Sequence, residues 1–151
     1  MSLKYYNYDI VFQEVPDEVS LAINLTNCPN HCADCHSPHL WEDTGTELTF
    51  CEMDSLVARY AGSITCVCLM GGDADRQSVE RMATYIRQTT GLKVAWYSGR
   101  TVYPSNPHDF DYLKLGPFLP DKGSLRSRTT NQHLYRREGD DWHDITSRFW
   151  R

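Results

Sequence analysis

Residues 64–70, Ile-Thr-Cys-Val-Cys-Leu-Met, form an almost unbroken apolar run that closes at Gly71-Gly72-Asp73. A strand with one wet face alternates polar and apolar residues. A run like this one predicts a strand covered on both faces, and such strands belong to parallel sheets flanked by crossover helices. The neighbouring segments agree. Upstream, Thr49 and Glu52 have capping-box spacing, Leu48 and Met53 stand at the staple positions, and Met53, Leu56, Val57 and Tyr60 make one apolar face that Gly62 ends. Downstream, Asp75 can cap a helix whose Val79, Met82, Ala83 and Ile86 recur at i, i+3, i+4 and i+7 before Gly91.

Strands are predicted over 5–12, 19–25, 93–97 and 111–115, with a turn at Val15-Pro16-Asp17-Glu18 and another at Ser98-Gly99. Pro104 and Pro107 argue for an irregular connection before the last of these. A late hairpin is predicted from 133–137 and 142–145 across Glu138-Gly139-Asp140. Alternation of strand and helix predicts an α/β fold with a mostly parallel, curved, open sheet. The 151 residues suffice for a single domain, 1–151, and are too few for a closed eight-stranded barrel. Ligands of such sheets bind at the C-terminal ends of the strands, where the segment after Leu25, the glycines after Met70 and Ser98-Gly99 fall.

The segment after the strand ending at Leu25 reads Cys28-Pro29-Asn30-His31-Cys32-Ala33-Asp34-Cys35-His36. Three thiols this close on a polar loop suit a soft metal centre: zinc, copper(I) or an iron–sulfur cluster. A four-iron cluster ordinarily takes four cysteines, so three would leave one iron open to a further ligand. Zinc completed by His36 or His39 is the alternative reading of the same spacing, and would make the chain a zinc-binding interaction module. Cys66 and Cys68 lie on one side of a strand and read as small buried hydrophobes, and Cys51, in a first helical turn, reads as structural.

Charge and composition exclude several classes. A net charge of −5 argues against nucleic acid as the main partner, although Lys122, Arg126, Arg128, Arg136 and Arg137 offer a local basic patch. No apolar stretch is long enough for a membrane span or a signal sequence, which leads to the expectation of a cytoplasmic protein with reduced thiols. No Ser/His/Asp arrangement or phosphate-binding glycine loop is evident.

The pattern Cys-x3-Cys-x2-Cys after a first strand resembles the signature of the radical S-adenosylmethionine superfamily. Within it, the chain is similar to the activating proteins of anaerobic ribonucleoside-triphosphate reductase. That similarity rests on Asn24-Leu25-Thr26-Asn27 before the cysteines and His36-Ser37-Pro38-His39-Leu40-Trp41 behind them. It rests also on Met70-Gly71-Gly72-Asp73, on Ala95-Trp96-Tyr97-Ser98-Gly99, and on Gly116-Pro117-Phe118 with Arg128-Thr129-Thr130-Asn131-Gln132. Asp34 stands where the wider superfamily has an aromatic residue, and Asp73 where it has glutamate; the activator branch tolerates both. The resemblance implies a short, incomplete β/α barrel. It implies a 4Fe-4S cluster on Cys28, Cys32 and Cys35, S-adenosyl-L-methionine bound among Asp34, His36, Gly71, Gly72, Asp73 and Ser98, and no acid–base pair of side chains. It further implies reductive cleavage of that cofactor to a 5′-deoxyadenosyl radical, a reduced flavodoxin or ferredoxin as electron donor, and a glycyl-radical enzyme as partner. That partner is the anaerobic reductase itself or, alternatively, a formate-lyase-like enzyme.

Overall fold

The computed structural model describes residues 3–12, 14–26, 45–117, 119 and 121–150. Its elements run β1 (Lys4–Val11), β2 (Ser20–Leu25), β3 (Thr46–Glu47), α1 (Phe50–Tyr60), β4 (Cys66–Met70), α2 (Arg76–Thr90), β5 (Lys93–Tyr97), β6 (Tyr112–Leu115), β7 (His133–Glu138) and β8 (Asp141–Asp144). All eight strands join one sheet in the order β3-β1-β2-β4-β5-β6-β7-β8. The fold is α/β, and both predicted helices form with the expected caps. Thr49 accepts from the Glu52 amide at 3.0 Å, and Asp75 from the Ser78 amide at 3.3 Å. Glu52 departs from the box, turning its carboxylate to the Tyr5 hydroxyl at 2.5 Å.

The expectation of a mostly parallel sheet is corrected. The central strands β2, β4, β5 and β6 are parallel, but four of the seven pairings are antiparallel: β1 on β2, β1 on β3, β6 on β7 and β7 on β8. Between β1 and β2 the reason is connection length. A parallel neighbour needs a crossover of about a dozen residues or more. Only residues 12–19 separate β1 from β2, and at Val15–Glu18 the Glu18 amide donates to the Val15 carbonyl at 3.2 Å. After β6, residues 116–132 are long enough for a crossover, but no helix forms among the described ones and β7 returns antiparallel.

Within the parallel core the strand order advances in one direction. Right-handed crossovers then place every covering element on the same side. Met53 and Leu56 of α1 and Val79, Met82, Ala83 and Ile86 of α2 pack on Leu21, Ile23, Leu25, Val67, Leu69, Val94, Trp96 and Leu113. Between β5 and β6 a helix is replaced by an irregular segment whose Phe110, fully buried, stacks on Trp96 with ring centroids 5.5 Å apart. The other side is smaller and is lined by Ala22, Cys66, Cys68, Ala95, Tyr112 and Leu134, with Val15 and Ile145 laid over it.

Gly72 marks where the helix-side core closes on the end of the sheet. It has φ +85°, and a Cβ there would lie 2.5 Å from Val79 Cγ2 and 2.9 Å from Leu25 Cδ1. Val79 is fully buried and β-branched, so it has little room to yield. Gly72→Ala is expected to cost about 2–4 kcal/mol from overpacking and left-handed strain together, read as a lower midpoint in urea with an unchanged slope.

Candidate functional site

The C-terminal ends of β2, β4 and β5 lie side by side, because Asn24 pairs with Met70 and Met70 with Tyr97. Lys114 of β6 pairs in turn with Tyr97. One transverse row, Asn24–Met70–Tyr97–Lys114, therefore crosses the helix-free side of the sheet. All four residues are half-buried, unlike the fully buried Cys68 and Ala95 one step below them. Asn24 donates its amide to Asn7 Oδ1 of β1 at 2.6 Å, extending the row to the next strand. The Tyr97 hydroxyl donates to the Glu14 carbonyl, and burial holds its pKa well above the usual value, so it stays protonated. Lys114 spans two strand ends, its Nζ donating to the Ser98 carbonyl at 3.3 Å and the Gly116 carbonyl at 2.9 Å, and lies 5.9 Å from the Tyr97 ring centroid. It thus carries a positive charge along the row.

Asp73 and Ser98 meet on the opposite, helix side. The Asp73 side chain is 1% exposed. Its Oδ1 accepts from Ser98 Oγ at 2.6 Å and from Arg76 Nη1 at 2.9 Å, and its Oδ2 accepts from the Gly99 amide at 2.8 Å. Arg76 also donates to Ser98 Oγ at 3.0 Å and to the Val102 carbonyl at 2.7 Å, and its guanidinium lies 4.4 Å over the Trp96 ring. The Trp96 indole donates to the Gly71 carbonyl at 2.7 Å. The stretches Gly71-Gly72-Asp73 and Trp96-Tyr97-Ser98-Gly99 are therefore one hydrogen-bonded unit. Asp75, not Asp73, caps α2.

Gly71 has φ +101°, and a Cβ there would sit 3.3 Å from the Leu25 carbonyl; Gly72 is closed by Val79 and Leu25. Both glycines answer first to protein packing at this edge. Near the end of β6, Gln132 is buried and its Nε2 reaches the Gly116 carbonyl at 3.5 Å. Asn131 donates to the Pro117 carbonyl at 3.0 Å, which fixes its amide orientation, and its Oδ1 is buried with no partner among the described residues.

Cys28, Cys32, Cys35, Asp34, His36 and His39 lie outside the described residues. Thr26, two residues before Cys28, is buried at the end of β2, its amide donating to the Lys4 carbonyl at 2.9 Å. Among the described residues no three His, Cys, Asp or Glu side chains gather as metal ligands. Cys66 and Cys68 are fully buried, as expected; burial pushes the Cys66 thiol up to about 12 and Cys68 well above its usual value, so neither supplies a thiolate. Cys51, read as structural, is exposed in the first turn of α1. In the basic patch, Arg136 pairs with Glu138 at 2.7 Å and Arg137 with Asp111 at 3.6 Å, which takes two cations out of it. No helix among the described residues is long and apolar enough to cross a membrane.

Arg76, Trp96 and Lys114 carry roles that their local sequence does not disclose. Only Arg76 leaves a trace, its i, i+3 spacing from Asp73. Comparison with family models, with characterised proteins and with solved structures gives no match to this chain.

Proposed function

We propose that this protein is a radical S-adenosylmethionine activase that generates a glycyl radical on anaerobic ribonucleoside-triphosphate reductase. The observation that carries the reading is the union of Gly71-Gly72-Asp73 with Trp96-Tyr97-Ser98-Gly99 at the end of the parallel core, the edge from which the cysteine segment follows Thr26. Two stretches that resemble the family's landmarks in sequence are bonded neighbours in space. The one-directional core with helices on a single side supports a short, incomplete β/α barrel as the finer description of the fold.

The residues present fit the implied groups. Three thiolates at Cys28, Cys32 and Cys35 are the donor set of an iron–sulfur cluster with one open iron. Asn131 Oδ1, without a partner among the described residues, lies beside the end of β6 at the same edge. When bound, the cluster supplies the electron that cleaves S-adenosylmethionine to methionine and a 5′-deoxyadenosyl radical. The chain's own work is to bind, orient and exclude water. Lys114 offers a cation to a carboxylate at the row. Ala22 and Ala95 beneath it form an apolar floor that keeps water out. Asp34 and His36 complete the proposed contacts, with Gly71, Gly72, Asp73 and Ser98 forming the wall. A reduced flavodoxin or ferredoxin is the proposed donor, and the cytoplasm the proposed compartment.

The test is anaerobic. Purified without oxygen, the protein is expected to be brown, to carry about four irons per chain as one such cluster requires, and to release 5′-deoxyadenosine when reduced with S-adenosylmethionine. Mixed with the anaerobic reductase, it should leave a glycyl radical signal on that partner. A colourless protein holding zinc would overturn the reading, and a signal on a formate-lyase-like enzyme alone would move the partner.

A further inference from the structure

On that activase reading, we propose that Arg76 is a positioning residue that sets the affinity for S-adenosylmethionine without touching it. Its three acceptors belong to three separate stretches. Asp73 ends the glycine turn after β4, Ser98 follows the last residue of β5, and the Val102 carbonyl belongs to the irregular segment beyond. One guanidinium thereby ties together the two ends that frame the proposed cofactor wall and the segment that leaves them. Its plane is held against Trp96, whose indole in turn holds the Gly71 carbonyl.

The bonds form a closed circuit: Gly71 carbonyl to Trp96, Trp96 to Arg76 by ring contact, Arg76 to Asp73, and Asp73 back along the chain to Gly71. Ser98 Oγ lies inside it, donating to Asp73 and accepting from Arg76 and from the Arg100 amide at 3.1 Å. A planar fork meets several fixed acceptors at once, as a lysine ammonium on a flexible stem does not. Arg76 stands on the helix side of the sheet and Lys114 on the other, so the circuit supports the wall from behind.

The experiment compares wild type, R76K and R76Q, each with its cluster reconstituted without oxygen. It measures iron content, the dissociation constant for S-adenosylmethionine, KM against kcat for 5′-deoxyadenosine release, and amide hydrogen exchange over residues 98–104. R76Q is expected to keep its iron, to weaken S-adenosylmethionine binding about tenfold with kcat changed less than about twofold, the signature of lost uniform binding, and to exchange faster over 98–104. R76K, which keeps charge and bulk, is expected to fall between and carries the test if R76Q does not fold. Unchanged affinity in R76K and R76Q, despite faster exchange, overturns the inference. Failure of the wild-type protein to bind S-adenosylmethionine overturns the activase reading instead, and shows before any variant is made.

Discussion

Replacing Cys32 by alanine is expected to abolish both the brown colour and all release of 5′-deoxyadenosine, and the same is expected for Cys28 and Cys35. A cluster held by three protein thiolates has none to spare, and losing one leaves two irons without protein ligands. Cys66→Ala and Cys68→Ala are the controls. Their thiols are fully buried among Ala22, Ala95 and Tyr112, and burial keeps both protonated at neutral pH. These two variants should retain full iron and activity and lose only about 1 kcal/mol of stability, the size of a small core truncation. Iron analysis and visible absorption across the five variants decide the matter. Retention of the cluster in any one of the first three would falsify the proposed ligand set.

Local signals in the sequence reached the local elements. The apolar run through Cys66–Met70, the caps at Thr49 and Asp75 and the spacing of Val79, Met82, Ala83 and Ile86 each depend on neighbours within a few residues, and each corresponds to an observed element. The late hairpin did as well, with Glu138 paired to Asp141. What escaped was non-local. The antiparallel flanks follow from how the chain returns, and β3, two residues long, has no pattern to read. The row Asn24–Met70–Tyr97–Lys114 exists only through register between four strands, and a slip of one residue would turn every member to the helix side.

The same limit governed the site. Asp73 and Ser98 were legible as residues at strand ends, but not their bonds to each other, which need β4 and β5 in parallel register. The sequence places Asp73 only behind the glycine pair that follows β4. In the structure its carboxylate joins two strand ends and a guanidinium. The basic patch likewise lost Arg137 to Asp111, which is remote in sequence, while Arg136 pairs with nearby Glu138.

Glu18 is the clearest such case, and its removal is expected to cost as much stability as Gly72→Ala. The carboxylate is 5% exposed at the opposite end of the sheet. It accepts from Thr65 at 2.7 Å, and from Lys93 and Tyr112 at 2.8 Å each, tying the turn before β2 to the starts of β4, β5 and β6. Desolvation alone would raise its pKa; the donors Lys93, Thr65 and Tyr112 outweigh that and hold it below the usual value of 4.5. Glu18→Ala strands the buried Tyr112 hydroxyl and is expected to cost about 2–4 kcal/mol. Lys93, 53% exposed, can turn to water and adds little to that loss. Because the folded pKa is depressed, this stability is fully present above about pH 4.5 and is lost as pH falls through the folded value. A melting series from pH 7 to pH 3 should therefore show a steep acid decline in the wild-type protein and a shallower one in Glu18→Gln, which has no proton to gain. Parallel declines in the two proteins would place the acid sensitivity elsewhere.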